Sequence, residues 1–263
     1  MRDLSGSVAI VTGASRGVGK GVALALAEAG AVVYATGRTA TEVDFEAAER
    51  VIPIRCDHTG DKEVEAVFQR VIDDRGRLDI LVNNVWGGYE NMMEGGAFTW
   101  PLPFWEQPLW RWDAMFAAGV RAHYVASTYA AREMIKQQRG LIVNVSFWAA
   151  QKHLGNVAYG VSKAATDKLT ADMAHELRGH DVAVVSLYPG LVRTEKVMEA
   201  AAFLDLSNSE SPQFVGRAVA ALAGDPEVMR KSGQVLVAAA LAHEYGFTDI
   251  DGKQPRPLTL EDV

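Results

Sequence analysis

The chain has 263 residues, of which 49% are apolar and 22% charged, and its formal net charge is −7. This composition is typical of a soluble globular protein, and the acidic balance excludes a chain-wide basic field for nucleic acid or anionic lipid. One cysteine, Cys56, excludes an internal disulfide and favours a reducing, cytoplasmic compartment. The six histidines lack metal-ligand spacing and the longest apolar run covers only 235–242, so we expect neither a metal site nor a membrane span.

Short apolar segments alternate with longer helical patterns along the chain. The first part predicts strands at 8–11, 32–35, 51–55 and 80–82, and helices at 17–29 and 61–74. The second part predicts a long helix at 110–138, a strand at 141–145, a helix at 159–178, and strands at 182–187 and 235–237. Apolar strands that alternate with helices are typical of parallel βαβ units. We therefore predict a doubly wound α/β fold with about seven parallel strands, in a single domain spanning 1–263.

Two long connections interrupt this alternation. Residues 85–111 are rich in aromatic residues and proline, and residues 188–210 follow the strand that ends at Leu187. Both connections leave from the carboxyl ends of predicted strands, where open α/β sheets bind ligands. Since long loops in compact domains are usually functional, we expect both to border a substrate site.

A glycine-rich stretch, TGASRGVGKG at residues 12–21, separates the first predicted strand from the first helix. Gly13, Gly17 and Gly19 permit a tight turn and let backbone N–H groups approach a pyrophosphate at the helix N-terminus. The spacing is GxxxGxG, which differs from both GxGxxG and the Walker A lysine loop. We interpret this stretch as a dinucleotide-binding loop.

The end of the second strand indicates which dinucleotide is bound. An acidic residue at this place binds an unphosphorylated ribose, whereas arginine accommodates a 2′-phosphate. The sequence reads YATGRT, which has no acid and places Arg38 after Gly37, and Arg16 lies within the glycine loop. The two arginines favour NADP(H) over NAD(H).

A tyrosine and a lysine, Tyr159 and Lys163, lie four residues apart in a predicted helix, and Ser146 precedes the tyrosine by thirteen residues. Four residues are about one helical turn, so the two side chains share a face and their polar ends can converge. A cation beside a phenol lowers the pKa of that phenol, and a hydroxyl nearby can stabilise charge on a substrate oxygen. This set suits the proton transfer that accompanies reduction of a ketone.

These motifs together resemble the classical short-chain dehydrogenase/reductase family along nearly the whole chain. The glycine loop is similar to the family's TGxxxGxG, NNVWG at 83–87 to NNAG, the Ser146, Tyr159 and Lys163 set to the catalytic Ser…YxxxK, and PGLVRTE at 189–195 to PGxxxT. The 12–38 region and LAHEYGFTDIDG also resemble a subgroup, the dehydrogenase/reductase member 1-like proteins. The resemblance implies a single-domain Rossmann fold and NAD(P)-dependent oxidoreductase activity.

The resemblance also implies roles for individual residues. Ser146, Tyr159 and Lys163 would be catalytic, with Tyr159 as general acid/base, and both Tyr159 and Lys163 would also contact the cofactor, Lys163 at the nicotinamide ribose. Asp57 would hold the adenine amino group. The remaining cofactor contacts implied are Gly13, Ser15, Arg16, Gly17, Val18, Gly19, Arg38, Asn84, Pro189, Gly190, Val192 and Thr194.

Two positions depart from the family pattern. Gly119 stands where the family has an asparagine that bends the helix and helps hold a water beside the lysine, so we expect an altered proton relay. Trp86 replaces the glycine of NNAG and brings an indole near the cofactor. The indole is either a core aromatic or part of a pocket wall.

Aromatic residues suggest the substrate class. We predict a pocket that includes Trp86, Phe147, Trp148 and His153, with further candidates in Tyr89, Trp100, Phe104, Trp105 and Tyr188. Such a wall suits a bulky hydrophobic ketone or aldehyde, although the same residues would also serve to pack the loop. Two alternatives stay open, a 3-oxoacyl thioester reductase of the same family and a non-catalytic NADP(H)-binding sensor or scaffold. Family members assemble as homodimers or homotetramers, and we expect one of these states.

Overall fold

The computed structural model describes residues 3–45, 48–89 and 92–263. The strands of its main sheet are β1 (Val8–Thr12), β2 (Val32–Gly37), β3 (Val51–Arg55), β4 (Ile80–Asn83), β7 (Gly140–Val145), β8 (Val182–Tyr188) and β9 (Val235–Val237). Two short strands, β5 (Met93–Glu94) and β6 (Ala97–Phe98), form a separate antiparallel hairpin.

The helices follow the strands in chain order. They are α1 (Gly17–Glu28), α2 (Asp61–Arg75), α3 (Leu109–Met115), α4 (Ala122–Gln137), α5 (Val157–Leu177), α6 (Glu195–Glu199), α7 (Pro212–Ala223) and α8 (Ala238–Tyr245). A π-helical segment, Phe116–Arg121, joins α3 to α4. Within the described residues no helix combines the length and the apolar character that a membrane crossing requires.

The seven strands pair in parallel, in the spatial order β3-β2-β1-β4-β7-β8-β9. The order reverses between β1 and β4, so the chain winds outward from this point in both directions. A doubly wound sheet binds its ligand at such a reversal, outside the carboxyl ends of the strands. The predicted seven-stranded parallel fold is therefore confirmed, and its extent as one domain over 1–263 stays a prediction.

Two apolar layers cover the sheet, so its central strands are buried on both faces. On one face α1 and α7 approach closely, since a Cβ on Gly216 would lie 2.6 Å from the Cβ of Ala25. On the other face α2, α4 and α5 contribute Val67, Ala130 and Leu177 to the second layer. The strands that border the site are therefore packed on both faces.

The predicted elements agree with the structure except in three places and in the short helices α6 and α8, which were not predicted. The long helix expected at 110–138 is interrupted by the π-helical segment. The β5–β6 hairpin lies within the 85–111 connection, of which residues 90 and 91 fall outside the described residues. Sequence analysis missed α7, although Ser211 caps its first turn and Pro212 follows, which is a helix start signal.

Candidate active site

The glycine loop forms a tight turn between β1 and α1. Gly13 and Gly17 adopt φ values of +65° and +56°, in the left-handed region that favours glycine. A Cβ on Gly13 would lie 2.7 Å from the Cα of Val85, and one on Gly19 would overlap the Asn84 amide and the Gly13 carbonyl oxygen. The three glycines are therefore required for the backbone to close around this turn.

The loop presents backbone N–H groups in a way that suits a pyrophosphate. The Gly17 N–H donates to the carboxylate of Glu195 at 3.0 Å, so an anion already lies at the start of α1. Ser15 packs beneath Gly37, where a Cβ would overlap the serine hydroxyl, and Val18 is half-buried. These features fit a dinucleotide phosphate at the helix N-terminus.

The predicted ribose and adenine residues lie at the ends of β2 and β3. Arg38 and Arg16 are both exposed. Hydrogen bonds from the N–H and hydroxyl of Thr59 hold the pKa of Asp57 below its ordinary value, and the charge of Arg38 contributes. Asp57 is therefore an anchored carboxylate near a guanidinium.

Asn84 and the 189–194 segment close the loop from two sides. The Asn84 amide donates to the carbonyl oxygens of Thr12 and Gly13, both at 3.0 Å, so this side chain holds the turn in shape. Thr194 caps α6 by accepting from the Val197 N–H at 3.3 Å, and its methyl group lies near Gly17.

The buried carboxyl of Glu210 supports the 189–194 segment from below. A parallel bridge joins Val192 to Glu210, and the buried Pro189 and Gly190 precede it. The Gly190 N–H donates to the carboxyl of Glu210. Burial raises the pKa of Glu210 to about 7, the nearby charge of Asp249 adds to this, and Arg193 opposes it.

Tyr159 is buried in the first turn of α5. The Asn156 side chain caps this helix by accepting from the Tyr159 N–H at 3.0 Å, which fixes where the tyrosine lies. Burial raises the pKa of Tyr159 well above its ordinary value, and the phenol of Tyr89, which accepts a hydrogen bond from it, adds to the rise. The protein alone therefore keeps the phenol protonated.

Lys163 lies one turn further along α5 and is also buried. Its ammonium donates to the carbonyl oxygen of Val145 at 3.2 Å and lies 3.9 Å from the ring centroid of Trp86 and 5.8 Å from that of Tyr159. Burial lowers the pKa of Lys163 to about 7, while Asp167 acts in the opposite direction. The ammonium therefore lies near the Tyr159 ring, and burial dominates the pKa of both groups.

Ser146 follows β7 at the carboxyl edge of the sheet and is buried. Its hydroxyl donates to the Lys163 carbonyl oxygen at 3.4 Å and is hydrogen-bonded to the Tyr188 hydroxyl. Tyr188 in turn donates to the Asp167 carboxylate. The structure therefore brings Ser146, Tyr159 and Lys163 into one buried cluster.

Four aromatic rings surround Tyr159. The ring centroids of Trp100, Trp86, Tyr89 and Phe147 lie 5.5, 5.8, 6.0 and 6.4 Å from its own. We call these four residues together with Tyr159 the aromatic cluster. It brings side chains from the 85–111 connection and from the turn after β7 together around the Tyr159 ring.

Other predicted pocket residues lie apart from this cluster. Trp148 is buried and packs edge-on against Tyr188, with centroids 5.1 Å apart, and His153 is exposed. Phe104 and Trp105 pack against each other and remain 63% and 72% exposed. His153, Phe104 and Trp105 therefore lie on the surface, whereas Trp148 packs against Tyr188.

Sequence analysis missed two groups that shape the site. Asp167 contacts Tyr188 and acts on Lys163, and its position four residues after the lysine was a readable signal. Arg111 is 1% exposed and donates to the hydroxyl of Thr99 at 2.8 Å, which fixes the 85–111 connection. A buried arginine of this kind has no signature in spacing. Among the described residues no group of three or more metal-ligating side chains is present.

Comparisons with known proteins agree with this geometry. The family model described as short chain dehydrogenase matches residues 7–204. Mouse (Mus musculus) dehydrogenase/reductase SDR family member 1 is 44% identical over 95% of this chain and 85% of that protein. The 7alpha-hydroxysteroid dehydrogenase of Escherichia coli K12 is 31% identical over 73% of each chain.

A solved structure has the same fold. The crystal structure of a short-chain type dehydrogenase/reductase from Mycobacterium marinum superposes with a TM-score of 0.76 at 28% identity, covering 89% of this chain and 94% of the other. The resemblance inferred from the motifs, including its subgroup, is confirmed. The chain therefore belongs to the short-chain dehydrogenase/reductase family of oxidoreductases, whose members bind a nicotinamide cofactor.

Proposed function

We propose that the protein is an NADPH-dependent oxidoreductase that interconverts a hydrophobic ketone or aldehyde and its alcohol. The observation that carries this proposal is the buried Tyr159 side chain, which packs within the aromatic cluster beside Ser146 and Lys163. A proton donor inside an apolar aromatic site matches a carbonyl substrate with large apolar groups.

Carbonyl reduction needs a hydride on carbon and a proton on oxygen. The nicotinamide cofactor, when bound, supplies the hydride. Tyr159 gives its proton to the carbonyl oxygen, and burial keeps that proton on the phenol beforehand. Ser146 donates a hydrogen bond to the same oxygen, where negative charge develops. The Lys163 ammonium stabilises the phenolate left on Tyr159.

The aromatic cluster selects the substrate in this proposal. The Tyr89 hydroxyl occupies the place beside the Tyr159 hydroxyl that a carbonyl oxygen would need, so substrate binding displaces it. The apolar rings then contact the groups on either side of the carbonyl. A relative named for a hydroxysteroid supports a bulky hydrophobic substrate.

The preference for NADPH rests on charge. Arg38 and Arg16 are exposed at the ends of β2 and the glycine loop, where a 2′-phosphate would lie. We include the cofactor residues Gly13, Ser15, Gly17, Val18, Gly19, Asp57, Asn84, Pro189, Gly190, Val192 and Thr194 in the same proposal. A cytoplasmic location and a homodimer or homotetramer complete it.

The test measures consumption of NADPH and NADH at 340 nm with a panel of steroid ketones, quinones, aryl ketones and a 3-oxoacyl thioester. We expect turnover of a hydrophobic ketone, with NADPH preferred and with activity lost in Tyr159→Phe. Turnover of the thioester alone would identify the 3-oxoacyl reductase. Tight NADPH binding without turnover of any compound would identify the non-catalytic sensor and overturn the proposal.

A further inference from the structure

The two departures from the family pattern meet in space. Gly119 is buried within the π-helical segment Phe116–Arg121. A Cβ at this position would lie 2.6 Å from Cζ3 and 2.8 Å from Cε3 of the Trp86 ring. Both distances are far below van der Waals contact between carbon atoms. The indole therefore occupies the volume that any side chain at position 119 would need.

The same indole contacts both proton-handling residues. The Lys163 ammonium lies 3.9 Å from the Trp86 ring centroid, and Tyr159 packs edge-on against the indole with centroids 5.8 Å apart and planes at 82°. A cation this close to the face of a tryptophan is attracted by the ring quadrupole, and the attraction is strongest where water is excluded. The ammonium is buried, so this condition holds.

We propose that Trp86 is the positioning residue for Lys163, and that its indole face, lodged above Gly119, holds the ammonium beside Tyr159 in place of a polar side chain from position 119. This inference rests on the proposed function for its catalytic consequence, although the contact itself is independent of turnover. Gly119 is then a requirement for the indole to lie there and not a sign of lost catalysis.

Other groups that face the ammonium come from several elements. Asp167, four residues along α5, favours the charged form of Lys163. His123 of α4 is buried and neutral, since burial and the charge of Lys163 lower its pKa to about 3. The Val145 carbonyl of β7 accepts one hydrogen bond. Tyr188 of β8 reaches this region through its contacts with Ser146 and Asp167. None of these groups is altered when Trp86 is replaced.

The first experiment titrates lysine side chains by NMR, with ¹³C-labelled lysine and the Lys163 signal assigned by its absence in Lys163→Arg. Trp86→Leu keeps an apolar side chain but removes the ring face. We expect the Lys163 midpoint to fall by about one pH unit, and by less in Trp86→Phe, because the charged form loses its partner. Trp100→Leu is the matched control, since the Trp100 ring packs against Tyr159 whereas the Lys163 ammonium lies over the rings of Trp86 and Tyr159, and it should leave the midpoint in place.

The second experiment restores the family's residues at the two positions, first asparagine at 119 and then also glycine at 86. Gly119→Asn alone should displace the indole, shift the Lys163 signal as Trp86→Leu does, and lower turnover by about tenfold or more. Trp86→Gly combined with Gly119→Asn should recover part of that loss, because the small residue vacates the volume that the asparagine needs. Melting temperatures identify any variant that fails to fold. If Trp86→Leu or Gly119→Asn does not fold, Trp86→Phe tests the inference in its place.

The outcomes separate this inference from the proposed function. A Lys163 midpoint unchanged in folded Trp86→Leu overturns the inference, whether or not the protein has activity. A Gly119→Asn variant with wild-type lysine titration overturns it as well. If the midpoint shifts as expected but no carbonyl is turned over, the positioning contact stands and the proposed reaction fails.

Discussion

The glycine-loop end of the site and its aromatic end are built by different means. At the glycine-loop end, residues 12–19, the shape follows from backbone conformation, since Gly13 and Gly17 adopt left-handed φ values and Asn84 holds backbone carbonyl oxygens. At the aromatic end, the shape follows from side chains of separate elements that pack against Tyr159. The shape of the glycine-loop end therefore depends on the local spacing of glycines. The shape of the aromatic end depends on contacts between residues far apart in the sequence.

This difference indicates which part of the site is common to the family and which part is particular to this protein. A backbone cradle binds any dinucleotide phosphate, so it constrains the family but not the substrate. In the proposed function the aromatic cluster distinguishes substrates, and its contact with Lys163 bears on proton transfer. Changes at the glycine loop should therefore affect cofactor binding, and changes at the aromatic cluster should affect turnover and selectivity.

The largest effect on cofactor binding is expected from Gly19→Ala. The added methyl group would overlap the Asn84 amide and the Gly13 carbonyl oxygen, so the turn must open. We expect NADPH affinity to fall by about a hundredfold or more, together with a lower melting temperature, measured by cofactor fluorescence and thermal unfolding. Gly179→Ala is the control, because a Cβ there meets nothing within 4 Å. Wild-type NADPH binding by Gly19→Ala would refute the backbone account of this end.

Arg38→Asp tests the cofactor preference at the same end. An acid at the end of β2 repels a 2′-phosphate and accepts a hydrogen bond from a free ribose hydroxyl. We expect kcat/KM with NADPH to fall by about ten- to a hundredfold, and the preference to move toward NADH. Arg139→Asp, an exposed arginine before β7 at the opposite edge of the sheet, should leave both values unchanged. An unchanged NADPH preference in Arg38→Asp would show that a residue other than Arg38 contacts the 2′-phosphate.

A smaller effect is expected on the free energy of unfolding, through the buried carboxyl of Glu210. This residue pairs with Val192 in the 189–194 segment. Its pKa is raised to about 7 in the folded protein, above the ordinary carboxyl value of about 4.3. As pH rises through this interval the unfolded chain loses its proton first, so the free energy of unfolding falls. Relative to Glu210→Gln, the wild type should lose about 3 kcal/mol between pH 4.5 and pH 7.

Urea unfolding of both proteins at several pH values measures this difference. Glu199→Gln, a change at an exposed glutamate, controls for the loss of one negative charge. Parallel pH profiles for wild type and Glu210→Gln would contradict the assignment of a raised pKa to this carboxyl.

The smallest effect is expected from Glu195→Gln. The Glu195 carboxylate accepts the Gly17 N–H that a pyrophosphate would use, and its charge repels phosphate. Because the side chain is exposed, we expect NADPH affinity to rise only about two- to fivefold at low salt. The gain should vanish at high salt. Isothermal titration at two ionic strengths measures it, and weaker binding by Glu195→Gln would show that the carboxylate organises the loop.

Much of the fold was predictable because periodicity and glycine spacing are local properties. The strand 51–55 was placed with its observed bounds, and the glycine loop was located between β1 and α1. The contact between Trp86 and Gly119 was not predictable, because it depends on how a π-helical segment places residue 119 beneath the 85–111 connection. Both positions were recognised as departures, but sequence alone did not indicate that they compensate each other.

The pKa of Tyr159 shows a second limit of sequence reasoning. Spacing correctly placed Lys163 beside the tyrosine, and charge alone then predicts a lowered pKa. The structure buries both groups, and burial raises the pKa of Tyr159 and lowers that of Lys163. Burial is a property of the folded chain, so its dominance over charge could not be read from a motif.

One measurement tests the central claim most directly, namely that Tyr159 is the proton donor for carbonyl reduction. Single-turnover oxidation of prebound NADPH by the best ketone from the panel, followed at 340 nm, separates chemistry from cofactor binding. Tyr124→Phe, a change at an exposed tyrosine of α4, serves as the control. We predict that Tyr159→Phe binds NADPH normally but oxidises it about a hundred- to ten-thousandfold more slowly than wild type or the control. Oxidation by Tyr159→Phe at the wild-type rate would contradict the account.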